Sequence, residues 1–98
     1  MIEAKEAIDT AFSKIYDYYD ESQLKDLLLE EVIFDNDLNT WLITLGFYVP
    51  NTNKKAYNSI QMIVNPNNFD RLYERKYKQF EISAESGTVL SMKIRDGN

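Results

Sequence analysis

The side chains with chemistry to offer in this sequence are carboxylates, tyrosines and cations. Its 98 residues hold 16 Asp and Glu, 7 Tyr and 11 Lys and Arg, with no histidine and no cysteine. The missing types remove the commonest general base, the thiol nucleophile and the nitrogen and sulfur ligands of a metal centre. A Ser-His-Asp arrangement cannot be assembled. Carboxylate pairs remain, at Glu30/Glu31 and at Asp35/Asp37. A catalytic pair needs one member buried enough to raise its pKa, and carboxylates in hairpin loops are usually solvated. The expectation is a chain that is not an enzyme and uses no cofactor or metal.

Two further constellations need weighing. Asp35-Asn36-Asp37-Leu38-Asn39 matches the first three ligand positions of a calcium loop, but Thr40 stands where glycine belongs and Gly46 where the closing glutamate belongs. An Asx-rich hairpin turn explains these residues better. The stretch from Arg71 to Lys78 interleaves bases with aromatics, and on a strand Tyr73, Arg75 and Tyr77 point the same way. Single-stranded nucleic-acid platforms present rings in this manner. One short basic strand in an acidic chain supplies few phosphate contacts, so nucleic acid is disfavoured. Gly46, Gly87 and Gly97 form no phosphate loop.

The elements that must position these residues centre on Trp41-Leu42-Ile43-Thr44-Leu45-Gly46-Phe47-Tyr48-Val49. A pleated backbone puts Trp41, Ile43, Leu45, Phe47 and Val49 on one face, and Pro50 ends the run. Something must cover that face. Ala4, Ala7, Ile8, Ala11, Phe12, Ile15 and Tyr19 recur at three- and four-residue steps and predict an amphipathic helix over 2–19. Its small residues would let it lie close to a sheet, with Phe12 and Ile15 the best candidates for contact.

Ser22 is a candidate cap for a short turn from Gln23 to Asp26. Leu27 to Phe34 mixes helix and strand signals, and a strand over 28–35 gives the central strand its partner. A strand from Arg71 to Ser83 and its hairpin partner from Thr88 to Arg95 follow, with Leu90, Met92 and Ile94 on one face of the last. Ala56 to Val64, inside an asparagine-rich excursion, 50–70, reads as a short helix or an extra strand, with the helix preferred. The fold class is then α+β: one N-terminal helix on a four-stranded antiparallel meander. A short helix or ordered loop separates strands 2 and 3.

A chain of this length is one domain, 1–98, and 44% hydrophobic residues suffice for one core. No apolar run reaches the length of a membrane span, about 18 residues. The N-terminus lacks the basic-then-apolar order of a leader, so cytoplasmic is the default expectation. Residues 1–40 carry a charge of −8 and residues 41–98 carry +3, for a net −5. An acidic half attracts basic protein surfaces and repels nucleic acid.

The closing hairpin, Tyr77-Lys78-Gln79-Phe80-Glu81-Ile82-Ser83-Ala84-Glu85-Ser86-Gly87-Thr88-Val89-Leu90, resembles that of PepSY-like domains. There an aromatic/aliphatic strand runs into an acid-bearing turn, a glycine and a Val-Leu step; Ser83 stands where those domains usually have aspartate. The resemblance implies a cystatin-like fold, with one helix against a curved antiparallel sheet, and a small inhibitory or accessory role. It implies no catalytic residues.

The leading expectation is a protein-binding module that acts by occlusion, as an inhibitor, an immunity-type protein or an accessory regulator. Its candidate contacts are Glu30, Glu31, Asp35, Asp37, Tyr48, Tyr73, Arg75 and Tyr77. The partner is another protein, one version having a basic surface, and no membrane is involved. The alternatives are a homodimer pairing sheet faces or edges through Tyr48, Tyr73 and Tyr77, and single-stranded nucleic acid on the Tyr73/Arg75/Tyr77 face.

Overall fold

The computed structural model describes residues 1–50 and 72–95. Among them the elements run α1 (Ala4–Ile15), a 3₁₀ turn (Glu21–Gln23), β1 (Lys25–Asp35), β2 (Thr40–Pro50), β3 (Tyr73–Ser83) and β4 (Val89–Arg95). The strands form one four-stranded antiparallel sheet in the order β1-β2-β3-β4. The fold is α+β. The short helix expected between β2 and β3 lies outside the described residues.

Period-two alternation decides the sides of β2. Ile43, Leu45 and Phe47 are fully buried, and Trp41 and Val49 pack against them. Ala7, Ala11 and Ile15 of α1 belong to the same apolar cluster, with Phe80 and Ile82 of β3 and with Leu24. Alanine at two successive helical turns lets the backbone of α1 approach without a long side chain in between. Ile8 and Phe12 pack on the margin of the cluster. The segment before α1 is tied down as well: the Trp41 indole donates to the Ile2 carbonyl (3.2 Å), and the Ile2 amide donates to the Ala84 carbonyl (2.6 Å).

The helix is shorter than the periodicity predicts. The amides of Asp17 and Tyr18 donate three residues back, to Lys14 and Ile15, so the last turn tightens and α1 ends at Ile15. Tyr19 then swings over the core, its ring 5.2 Å from that of Phe47. The following 3₁₀ turn is capped by Asp20, not Ser22: the Asp20 amide donates to the Gln23 side chain at 2.7 Å.

The mixed signals of residues 27–34 have a cause in the ladder. β1 carries two bulges, one between Lys25 and Leu28, where Asp26 takes φ +53°, and one between Leu29 and Glu31. Each inserts a residue opposite one on β2, so hydrophobic alternation is broken twice within a single strand. Leu27 faces the core, Leu28 opposes Gly46 and Leu29 opposes Leu45. β4 shows the same device. An extra residue between Ile82's partner Val89 and Glu81's partner Ser91 makes Val89 the residue that packs on the core. Of the face expected for Leu90, Met92 and Ile94, Met92 and Ile94 keep their shared side, with Ile94 exposed at the strand end, while the bulge takes Leu90 out of it.

Both tight turns rest on short polar side chains. Asp35 Oδ1 accepts from the amides of Asp37 and Leu38 (2.9 and 3.2 Å), and Asn39 closes the β1–β2 turn at φ +53°. Ser83 Oγ accepts from the Ser86 amide, and Gly87 closes the β3–β4 turn at φ +76°, where a side chain would be strained. The two turns meet where the Ala84 amide donates to the Asn39 carbonyl.

Thr40 is buried and its hydroxyl finds no partner among the described residues. A buried hydroxyl without a hydrogen bond costs about 1–3 kcal/mol in lost hydration. Thr40→Val keeps the shape and the β-branch and removes that cost. It is expected to stabilise the fold by about 1 kcal/mol and raise the thermal midpoint by about 4–8 °C. Calorimetry checks this, and an unchanged or lower midpoint contradicts it.

Candidate functional site

The face of the sheet opposite α1 is the candidate site. Register fixes its membership: Leu42, Thr44, Gly46 and Tyr48 of β2 lie beside Glu81, Gln79, Tyr77 and Arg75 of β3. On the other side of β2 stand Ile33, Glu31, Leu28 and Lys25 of β1. Among the described residues no helix or strand lies over these positions. Thr44 is nevertheless only 3% exposed. Among its described neighbours is Gln79, whose amide reaches the Thr44 hydroxyl at 3.5 Å.

Arg75 stands at the centre of this face. One guanidinium nitrogen lies 2.5 Å from Glu30 Oε1, and the other donates to the Asp26 carbonyl at 3.3 Å. Its carbon stands 4.8 Å from the centroid of the Tyr48 ring and 6.0 Å from that of Tyr77. Ring faces and a carboxylate together satisfy a planar cation that water reaches only slightly. The bulges on β1 make this possible, because they aim both the Asp26 carbonyl and the Glu30 side chain over β2.

Gly46 completes the arrangement. A Cβ built there would stand 2.9 Å from Glu30 Cγ and Oε1 and 3.0 Å from Arg75 Nη2. The gap in an otherwise bulky strand is therefore the floor on which the ion pair rests. A second pair, Glu31 with Arg95, joins the two edge strands across the middle of the sheet. Lys25 lies 5.7 Å from the Tyr73 ring centroid, which finishes the row.

Six of the eight sequence-derived contacts thus share one face: Glu30, Glu31, Tyr48, Tyr73, Arg75 and Tyr77. Asp35 and Asp37 stand elsewhere, at the β1–β2 turn, where Asp35 is engaged in holding the turn. Glu30 and Glu31 do not form a free acidic patch, since each carboxylate is matched to an arginine. Tyr48, Tyr73 and Tyr77 lie on the two central strands, so a dimer joined at a sheet edge would not pair through them.

No family model, curated protein or solved structure matches the chain. Its chemistry is therefore read from these residues alone. Among the described residues no group of three or more acids is placed to hold a metal ion, and no helix is long and apolar enough to cross a membrane. A hollow of about 570 Å³ beside Tyr19, Ser22, Gln23, Val49, Pro50, Glu74 and Lys76 offers one cation, and Glu74 pairs with it at 3.4 Å.

Sequence reasoning missed Gly46, Arg95 and the Asp26 carbonyl. Gly46 had a signal: an isolated glycine inside a strand marks a bulge or a close approach. Arg95 had none, because its partner is 64 residues away in the chain.

Proposed function

We propose that this chain is a protein-binding module without catalytic activity, an inhibitor, immunity-type or accessory protein of cystatin-like arrangement that works by occluding a partner. One observation carries the reading. The sheet face opposite α1, over which no helix or strand lies among the described residues, carries tyrosine rings and charge-matched arginines and is flanked by exposed apolar residues, Leu28 and Ile33. Tyrosine and arginine are the residue types enriched at the centres of protein interfaces. The charge matching is made within the chain, so little ion-pair desolvation remains to be met on docking.

The proposed centre of contact is Tyr48, Tyr77 and Leu28, with Tyr73 and Arg75 beside them. Glu30 and Glu31 act by holding the arginines in place, and Asp37 supplies rim charge toward a basic partner. Steering by that rim would speed association more than it sets affinity. Arg75 and Arg95 are committed to carboxylates, which leaves single-stranded nucleic acid few cations to meet.

Capture from the native host tests the proposal. The wild-type chain is expected to retain a partner that Tyr48→Ser/Tyr77→Ser loses, while Asp37→Lys slows capture without abolishing it. Equal retention by the double variant, with its fold verified by circular dichroism, overturns the reading.

A further inference from the structure

β1 and β4 are the two edges of the sheet among the described residues, and their edges differ. β4 ends on Lys93 and Arg95, cations that discourage edge pairing; bulges do not separate the two edges, since β4 carries one and β1 two. β1 contains no proline and no interior lysine over its 11 residues. Leu28, Leu29, Val32 and Ile33 are all exposed, at 57, 39, 37 and 40%. They stand on both faces of the strand: Leu28 and Ile33 with the outer face, Leu29 and Val32 with the face that α1 covers at β2.

We infer that β1 pairs antiparallel with β1 of a second copy of this chain, about a two-fold axis between Glu30 and Glu31. The segment Leu28-Leu29-Glu30-Glu31-Val32-Ile33 has the same chemistry read in either direction: two apolar residues, two acids, two apolar residues. An isologous interface requires such self-complementarity. Pairing Leu28 with Ile33 of the other copy, and Leu29 with Val32, keeps every apolar residue beside a partner on its own face. The bulge does not break this register, because both strands carry the same two residues between Leu29 and Val32.

Glutamates in the middle of an edge strand ordinarily guard it against pairing. Here they do not act as free charges. Glu30 is bound to Arg75 and Glu31 to Arg95, so each acid near the axis meets its neighbour already compensated. The paired sheets would then run continuously and present two copies of the tyrosine-arginine face side by side. One strand pair with four apolar cross-strand contacts in all is a small interface, so the dimer is a weak one.

Sedimentation equilibrium of the wild-type chain from about 1 µM to about 1 mM is the test, that range covering weak dimers. A monomer–dimer equilibrium is expected. Ile33→Lys, at an exposed position, should abolish the dimer and leave the monomer folded. Arg95→Gln frees Glu31 at the axis and should raise the dissociation constant about tenfold, with the defect shrinking at high salt. The Glu31–Arg95 pair is half-exposed, so monomer stability hardly moves. A monomer throughout, a dimer indifferent to Ile33→Lys or Arg95→Gln, or open-ended growth from β1 pairing with β4 of the next copy each overturns the inference.

Discussion

Phe47→Ala is expected to remove about 3–5 kcal/mol of stability, the cost of emptying a buried aromatic site. Phe47 is 1% exposed, lies against the Tyr19 ring and shares the apolar cluster of Ala7, Ala11 and Ile15. The alanines on the helix have no side chain with which to fill the space, so the cavity cannot collapse from that side. A domain of this size has a total stability of about 5–15 kcal/mol, and the loss is a large share of it. Leu28→Ala is the contrast. Leu28 lies one pairing step away, opposite Gly46, and is more than half exposed, so its truncation should stay within about 0.5 kcal/mol. Urea unfolding followed through Trp41 fluorescence reads both. Near-equal losses for the two variants would mean that the core does not lie on the odd-numbered side of β2.

That contrast also marks how far the sequence could be read. β2 was legible because five large apolar residues at strict period two fit only a pleated strand with one covered face. α1 was legible for the same reason at period 3.6, but its end was not. Propensity allowed helix to Tyr19, whereas the observed chain tightens at Ile15 so that the Tyr19 ring can reach Phe47. β1 resisted because two bulges each shift the side-chain period by one residue, and no local pattern distinguishes this from a short helix. β4 misled through one bulge, which exchanged Val89 for Leu90 on the core side.

The site divides along the same line. That Tyr73, Arg75 and Tyr77 share a face follows from strand periodicity alone, and so does the placement of Tyr48 beside them once β2 and β3 pair. That Glu30 and Glu31 reach the same face does not, because it depends on bulges. Their meaning changes with it. Two adjacent acids read as a patch offered to a basic partner, yet both carboxylates are turned onto arginines of the same chain. Sequence separations of 45 and 64 residues put those pairings beyond any local rule.

The ion pair at the centre of the face gives the second large effect. Glu30→Ala is expected to cost about 1–3 kcal/mol, because it leaves a slightly exposed guanidinium with the Asp26 carbonyl as its remaining acceptor among the described residues. Gly46→Ala should act through the same pair. Its methyl would stand 2.9 Å from Glu30 Cγ and force that side chain off the floor, so the substitution destabilises the wild-type chain. In the Glu30→Ala background both 2.9 Å contacts are gone and the next nearest atom is the tip of Arg75, at 3.0 Å, which can shift. There the lower backbone entropy of alanine should dominate, and Gly46→Ala should stabilise by about 0.5–1 kcal/mol. The sign of one substitution is thus set by the presence of another side chain, a non-additivity of the kind residues in direct contact show. Urea midpoints for the four members of the cycle measure it. If Gly46→Ala destabilises equally in both backgrounds, the close approach of Glu30 is not what requires glycine at this position, and the account of how the face is assembled fails with it.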